Sequence, residues 1–132
     1  MSPKRLLPFL CLGFAGALAS AAAPSDGGAG VLARLHRGQW VVKPFARGAA
    51  ERTLCLRDPK VLLHLEHGGG CKEELVASDS GGATAEYSCG ARGFAHTSVR
   101  LQTPRAATID TQGLIDGRPF SYRAVARRAG PC

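Results

Sequence analysis

The chain has 132 residues, 20% of them charged, and a formal net charge of +7 carried mostly by arginine. That length suits one domain with a modest core. No basic run exceeds two residues and only 6% of the chain is aromatic, which argues against a nucleic-acid-binding stripe.

Residues 1–19 have the three zones of a secretory signal peptide: a positive start at Lys4 and Arg5, an apolar stretch from Leu6 to Leu18, and small-x-small cleavage sites near Ala19 to Ala21. The apolar stretch falls short of the ~20 residues a membrane-spanning helix needs. Cys11 lies within it and has no small residue just before it, which argues against a lipid anchor. The sequence therefore predicts export without a membrane span. Residues 20–36 read as a flexible leader, because the stretch after the cleavage sites is rich in Ala, Gly, Ser and Pro. One domain follows over 37–132.

Gly38-Gln39-Trp40-Val41-Val42 reads as entry into a first strand, with Pro44 near its end and Trp40 as a core anchor. Arg52 to Leu56 is a second β-prone run. Asp58, Pro59 and Gly68 are helix start and stop signals, so a helix of two to three turns is expected between them. Val61, Leu62 and Leu65 would form its apolar face. Lys72–Ser78 and Ala83–Ser88 flank Asp79-Ser80-Gly81-Gly82. This predicts a hairpin whose turn uses positive φ at Gly81 and Gly82 and an Asp79 side chain bonded to its own backbone. Strands over Phe94–Thr103 and Ala106–Ile115 follow, separated by Pro104-Arg105. Asp116-Gly117 then marks a two-residue hairpin returning through Arg118–Arg127. Counting back from that turn pairs Ile109 with Ala124, Asp110 with Arg123 and Thr111 with Tyr122. Apolar and charged residues separate onto two faces in this register.

Four cysteines remain outside the leader, and an even number in a small exported chain reads as two disulfides. Three pairings exist. Folding back the first hairpin brings Cys71 opposite Cys89, within disulfide range, and leaves Cys55 for Cys132.

Ser78-Asp79-Ser80-Gly81-Gly82 is close to the sequence around the nucleophile of trypsin-like proteases, but the chain is about half that size and its context is a hairpin tip. Cys55, His64, His67 and Cys71 are metal-ligand types at spacings that match no usual zinc pattern. Gly68-Gly69-Gly70 lacks the ending of a phosphate loop. His96, Ser98, Arg100 and Glu86 gather on one stretch of sheet.

The order of features resembles the bacterial exported proteins grouped as domain of unknown function 3617. The matching residues are Gly38-x-Trp40-Val41-Val42, Thr53-Leu54-Cys55-Leu56 with Asp58-Pro59, Cys71, Tyr87-Ser88-Cys89, a strand containing Gly113, and the closing Arg127-Arg128-Ala129-Gly130-Pro131-Cys132. The resemblance covers about 37–132. It implies a bacterial periplasmic or secreted location, two disulfides and a β-rich fold, and it transfers no catalytic residue.

The expected architecture is mainly β (α+β): an antiparallel meander of five or six strands, curled toward a half-barrel, with one short helix and two disulfides. The expected role is a non-enzymatic binding or envelope-associated accessory protein without a cofactor. Its partner is an anionic envelope component or a small apolar ligand. Trp40, Tyr87, Phe120 and Tyr122 are the candidate ligand face, and Arg100, Arg123 and Arg127 the candidate anion-binding face. The alternative is a small hydrolase or metal-binding protein using His64, His67 and His96.

Overall fold

Alternation of apolar and polar residues, broken by turn signals, builds one antiparallel sheet. A computed structural model describes residues 29–132; the predicted signal peptide, Cys11 and residues 20–28 of the predicted leader lie outside the described residues. The strands are β1 (Gly38–Pro44), β2 (Arg52–Leu56), β3 (Lys72–Asp79), β4 (Gly82–Ser88), β5 (Gly93–Thr103), β6 (Ala106–Ile115) and β7 (Arg118–Gly130). Their order is β2-β1-β7-β6-β5-β4-β3. The expected meander is present with seven strands rather than five or six. The sheet is not closed: β2 and β3 are its edges.

The last hairpin has the register that counting predicts. Ile115 pairs with Arg118, Thr111 with Tyr122, Asp110 with Arg123 and Ile109 with Ala124. Asp116 and Gly117 both take positive φ, 50° and 76°. A two-residue loop of that hand matches the twist of the flanking strands, and glycine enters the left-handed region at no steric cost. The other hairpin differs from expectation. Asp79 does accept from the Gly81 amide at 2.7 Å, but neither Gly81 nor Gly82 is among the glycines with positive φ. Gly82 is required for a different reason: a Cβ there would lie 2.2 Å from the carbonyl oxygen of Val99.

One face of the sheet is packed. Ala83, Ala85, Ala95, Val99, Ala107, Ile109, Ala124 and Ala126 point to it, together with Trp40, Val42 and Leu56. The alanines leave room, and leucines from outside the sheet fill it. Leu32 and Leu35 come from a short helix α1 (Ala29–Leu32) and the turn after it; Leu62 and Leu63 come from a 3-10 helix over Pro59–Leu63. Truncating one such buried leucine to alanine typically costs about 2–5 kcal/mol. The buried hydroxyls of Thr97 and Thr111 satisfy each other at 2.7 Å.

Two expectations are corrected. The helix between Asp58 and Gly68 is a five-residue 3-10 helix. Asp58 does cap it, accepting from the Lys60 amide at 3.0 Å, but the chain leaves helical geometry at His64 (φ −140°, ψ 37°). This exit lets adjacent Leu62 and Leu63 both enter the core, which one stripe of an α-helix does poorly. The predicted leader ends too late: Leu32 and Leu35 belong to the core, so the domain begins before Arg37.

Two disulfides form as the hairpin argument favours. Cys71–Cys89 extends the β3–β4 ladder with Cα atoms 4.5 Å apart. Cys55–Cys132 has Cα atoms 5.5 Å apart and ties Cys132, two residues past β7, to edge strand β2, across the start of β1. The sequence separations are 77 and 18 residues. In the chain-entropy account, serine at both Cys55 and Cys132 is expected to cost about 4.5 kcal/mol and serine at Cys71 and Cys89 about 3 kcal/mol. Urea denaturation of the two double variants checks the order; the reverse order would show that native-state contacts, not loop length, decide it.

Candidate functional site

Strand alternation sends every second side chain to the face opposite α1 and the 3-10 helix. Most side chains on that face are half-buried or exposed. Its residues fall into cross-strand rows. One row is Arg123, Asp110, Ser98 and Thr84, on β7, β6, β5 and β4. Phe45, just beyond β1, continues it, because its amide donates to the Arg123 carbonyl at 2.9 Å. The next row is Lys43, Val125, Thr108 and Arg100. On the other side runs Ser121, Gln112, His96, Glu86 and Glu74. Phe45 and Phe94 are the large exposed aromatics, at 63% and 50%.

Two depressions lie on this face. One of about 410 Å³ is lined by Phe45, Ser98, Arg100, Thr108, Asp110 and Arg123. The other, about 500 Å³, is lined by Lys72, Glu74, Glu86, Phe94 and His96 among others. Several charges on the face are paired. Arg123 Nε donates to Asp110 at 2.6 Å, Arg100 contacts both carboxylate oxygens of Asp79 at 2.8 Å, and Lys43 lies 3.1 Å from Glu51. His96 Nδ1 is 3.5 Å from Glu86. The Arg100 guanidinium, helped by the Gly81 amide, holds the Asp79 carboxyl below its usual range.

The candidate anion-binding residues Arg100, Arg123 and Arg127 do share this face. Two of them already hold an aspartate, and Arg127 alone has no acidic partner among the described residues. That pairing weakens a polyanion site, since an incoming anion would have to displace a carboxylate. The candidate ligand face is corrected. Trp40, Tyr87, Phe120 and Tyr122 all point to the packed side, where Trp40 is fully buried and its indole donates to the His36 carbonyl at 2.9 Å. Tyr87 is nearly buried under a stacked His64, ring centroids 4.8 Å apart. Trp40 and Tyr87 are buried, Tyr122 packs half-buried against the core, and Phe120 is half-buried against His67.

The histidines do not converge. His64 and His67 lie on the packed side. His67 is buried, with Nε2 donating to the Leu114 carbonyl at 2.9 Å and its ring against Phe120. His96 is on the opposite face, beside Glu86. Among the described residues no group of three His, Cys, Asp or Glu is placed to hold a metal ion. Ser80, at the hairpin tip, meets Arg34 through its carbonyl at 2.7 Å.

Sequence reasoning missed one polar cluster. Arg52 on β2 donates to Tyr122 at 2.8 Å and to Glu66, and Tyr122 also donates to Glu66. The cluster clamps the chain after the 3-10 helix onto β2 and β7. The three residues are 14 to 70 positions apart, so no local pattern announces them. Phe45 was also missed, although it continues the alternation of Val41 and Lys43.

Comparison with models of protein families, with curated proteins and with solved structures finds no match for this chain.

Burial, reinforced by the bond to Glu66, pushes the Tyr122 hydroxyl well above the ordinary tyrosine range, with Arg52 opposing. Burial, with Glu73 adding, also raises Tyr87. A value raised in the folded state means stability is intact below the unfolded value, about 10, and falls as pH rises beyond it. Native protein is expected to show little tyrosinate absorbance near that pH, and Tyr122→Phe to lose less stability on the alkaline side. Full ionisation of both tyrosines with the fold intact would contradict the placement of Tyr122.

Proposed function

We propose that this chain is an exported, disulfide-stapled binding domain that acts without catalysis at the cell envelope, through the uncovered face of its sheet. The observation that carries the reading is the asymmetry of the sheet. One face is covered by α1 and the 3-10 helix, while the other presents Phe45 and Phe94 to solvent. Aromatic residues are enriched in interaction surfaces, and these two stand in the two depressions of the open face.

Export is supported by the signal-peptide pattern of residues 1–19 and by two disulfides, which persist in oxidising compartments. No helix of the described residues is long and apolar enough to cross a membrane. The resemblance to the exported family supports a periplasmic or secreted location. The histidines' separation onto opposite faces counts against the alternative of one site built from His64, His67 and His96.

Co-sedimentation with purified cell-wall sacculi and with outer-membrane vesicles tests the reading. Wild type is expected to pellet with at least one of them, and Phe45→Ser with Phe94→Ser to weaken binding about tenfold or more, since a buried phenylalanine contributes about 1.5–3 kcal/mol. Binding by neither fraction, or binding that the double variant leaves unchanged, would sink the proposal.

A further inference from the structure

The row Phe45, Arg123, Asp110, Ser98 and Thr84 has a chemistry more specific than an exposed patch. Phe45 is 63% exposed, yet its amide donates a hydrogen bond to the Arg123 carbonyl at 2.9 Å. Its backbone is therefore held against β7 while its side chain stands open to solvent. Beside it stands the Arg123–Asp110 pair at 2.6 Å, then Ser98 bonded to Thr84 at 2.7 Å. Thr108 and the Arg100–Asp79 pair flank the row in the next rung. Five strands side by side, at about 4.8 Å per step, make the row roughly 19 Å long.

Three ligand classes can be compared on this ground. An anion meets two guanidiniums, each already neutralised by an aspartate, so it gains little net charge attraction. An apolar molecule would strip water from two ion pairs and several hydroxyls without replacing their hydrogen bonds, a large cost. A neutral polyhydroxylated chain suits the site. Each ligand hydroxyl both donates and accepts, so it can bond the carboxylate and the guanidinium of one pair together. A guanidinium carries five N–H donors and a carboxylate about four acceptor sites, and the observed pairs leave part of that capacity free. The C–H face of a sugar ring can lie on the exposed Phe45 ring. The depression, about 410 Å³ and open to solvent, suits a stretch of polymer lying across strands.

We propose that this row is a binding site for a neutral glycan chain laid across β4 to β7 and stacked on Phe45. The proposal rests on the reading of the uncovered face as the binding surface and names what that face holds.

The test is a two-dimensional amide NMR titration of the disulfide-intact domain with three neutral hexasaccharides (fully N-acetylated chitohexaose, cellohexaose and maltohexaose) and, separately, with a heparin hexasaccharide. At least one neutral sugar is expected to give saturable shifts at Phe45, Ser98, Asp110 and Arg123, little affected by salt. Phe45→Ala is expected to weaken it about tenfold, and Asp110→Asn to weaken it with unchanged stability. Shifts with heparin alone, shifts away from the row, or no shifts from any neutral sugar at millimolar concentration would overturn the glycan assignment. If envelope binding stays sensitive to Phe45 and Phe94 in the co-sedimentation experiment, the ligand class alone is wrong. If that sensitivity is also absent, the binding-face reading falls with it.

Discussion

The register of the β6–β7 hairpin is the constraint on which the rest of the structure depends. Asp116 and Gly117 take the two positive φ values that close a two-residue loop, and this fixes Ile115 opposite Arg118. Because the side-chain period in a strand is two, a slip of one residue would exchange the faces. With β6 held in place, the slip would turn Ala124 and Ala126 of β7 to water and bring Arg123 beneath the leucines. With the register set, β5 and β4 follow on one side of the hairpin and β1 on the other, each antiparallel to its neighbour. The packed core and the charge-paired outer face are thus two consequences of one turn.

The hairpins were legible because their information is local. Two-residue turns, alternation and cysteine spacing all lie within a few residues of the structure they specify, which is why Asp110 could be paired with Arg123 by counting. The helix failed for the opposite reason. Asp58 and Pro59 signal the start correctly, but the helix stops at Leu63, well before Gly68, because what lies between answers to distant partners. Leu62 and Leu63 both enter the core, Glu66 reaches Arg52 and Tyr122, and His67 reaches the Leu114 carbonyl. No α-helix of that length satisfies all of these at once. The packed face itself gives a weak signal, because much of it is alanine. Its hydrophobic weight is borrowed from Leu32 and Leu35, in a segment whose Ala- and Gly-rich surroundings read as a leader.

The candidate site was legible as a set of residues but not as a chemistry. Arg100, Arg123 and Arg127 share a face, as strand alternation implies. That Arg100 is neutralised by Asp79 depends on the β4–β5 register and on how the hairpin tip leans back over β5. The conspicuous aromatics all lie on the packed side: Trp40 and Tyr87 are buried, and Phe120 and Tyr122 are half-buried there. The ring that stands in solvent, Phe45, follows a proline that reads as the end of a strand, although its amide still bonds β7.

The central claim is that one face of this sheet is dry and the other is open. The most direct measurement compares acrylamide quenching of the single tryptophan of the wild type with that of a Trp40→Phe, Phe45→Trp variant. Trp40 is fully buried and Phe45 is not. Trp40 is expected to emit in the blue and resist quenching, and the tryptophan introduced for Phe45 to emit further to the red and quench freely. Equal quenching of the two, or a Trp40 open to solvent in the native protein, would contradict the assignment of faces.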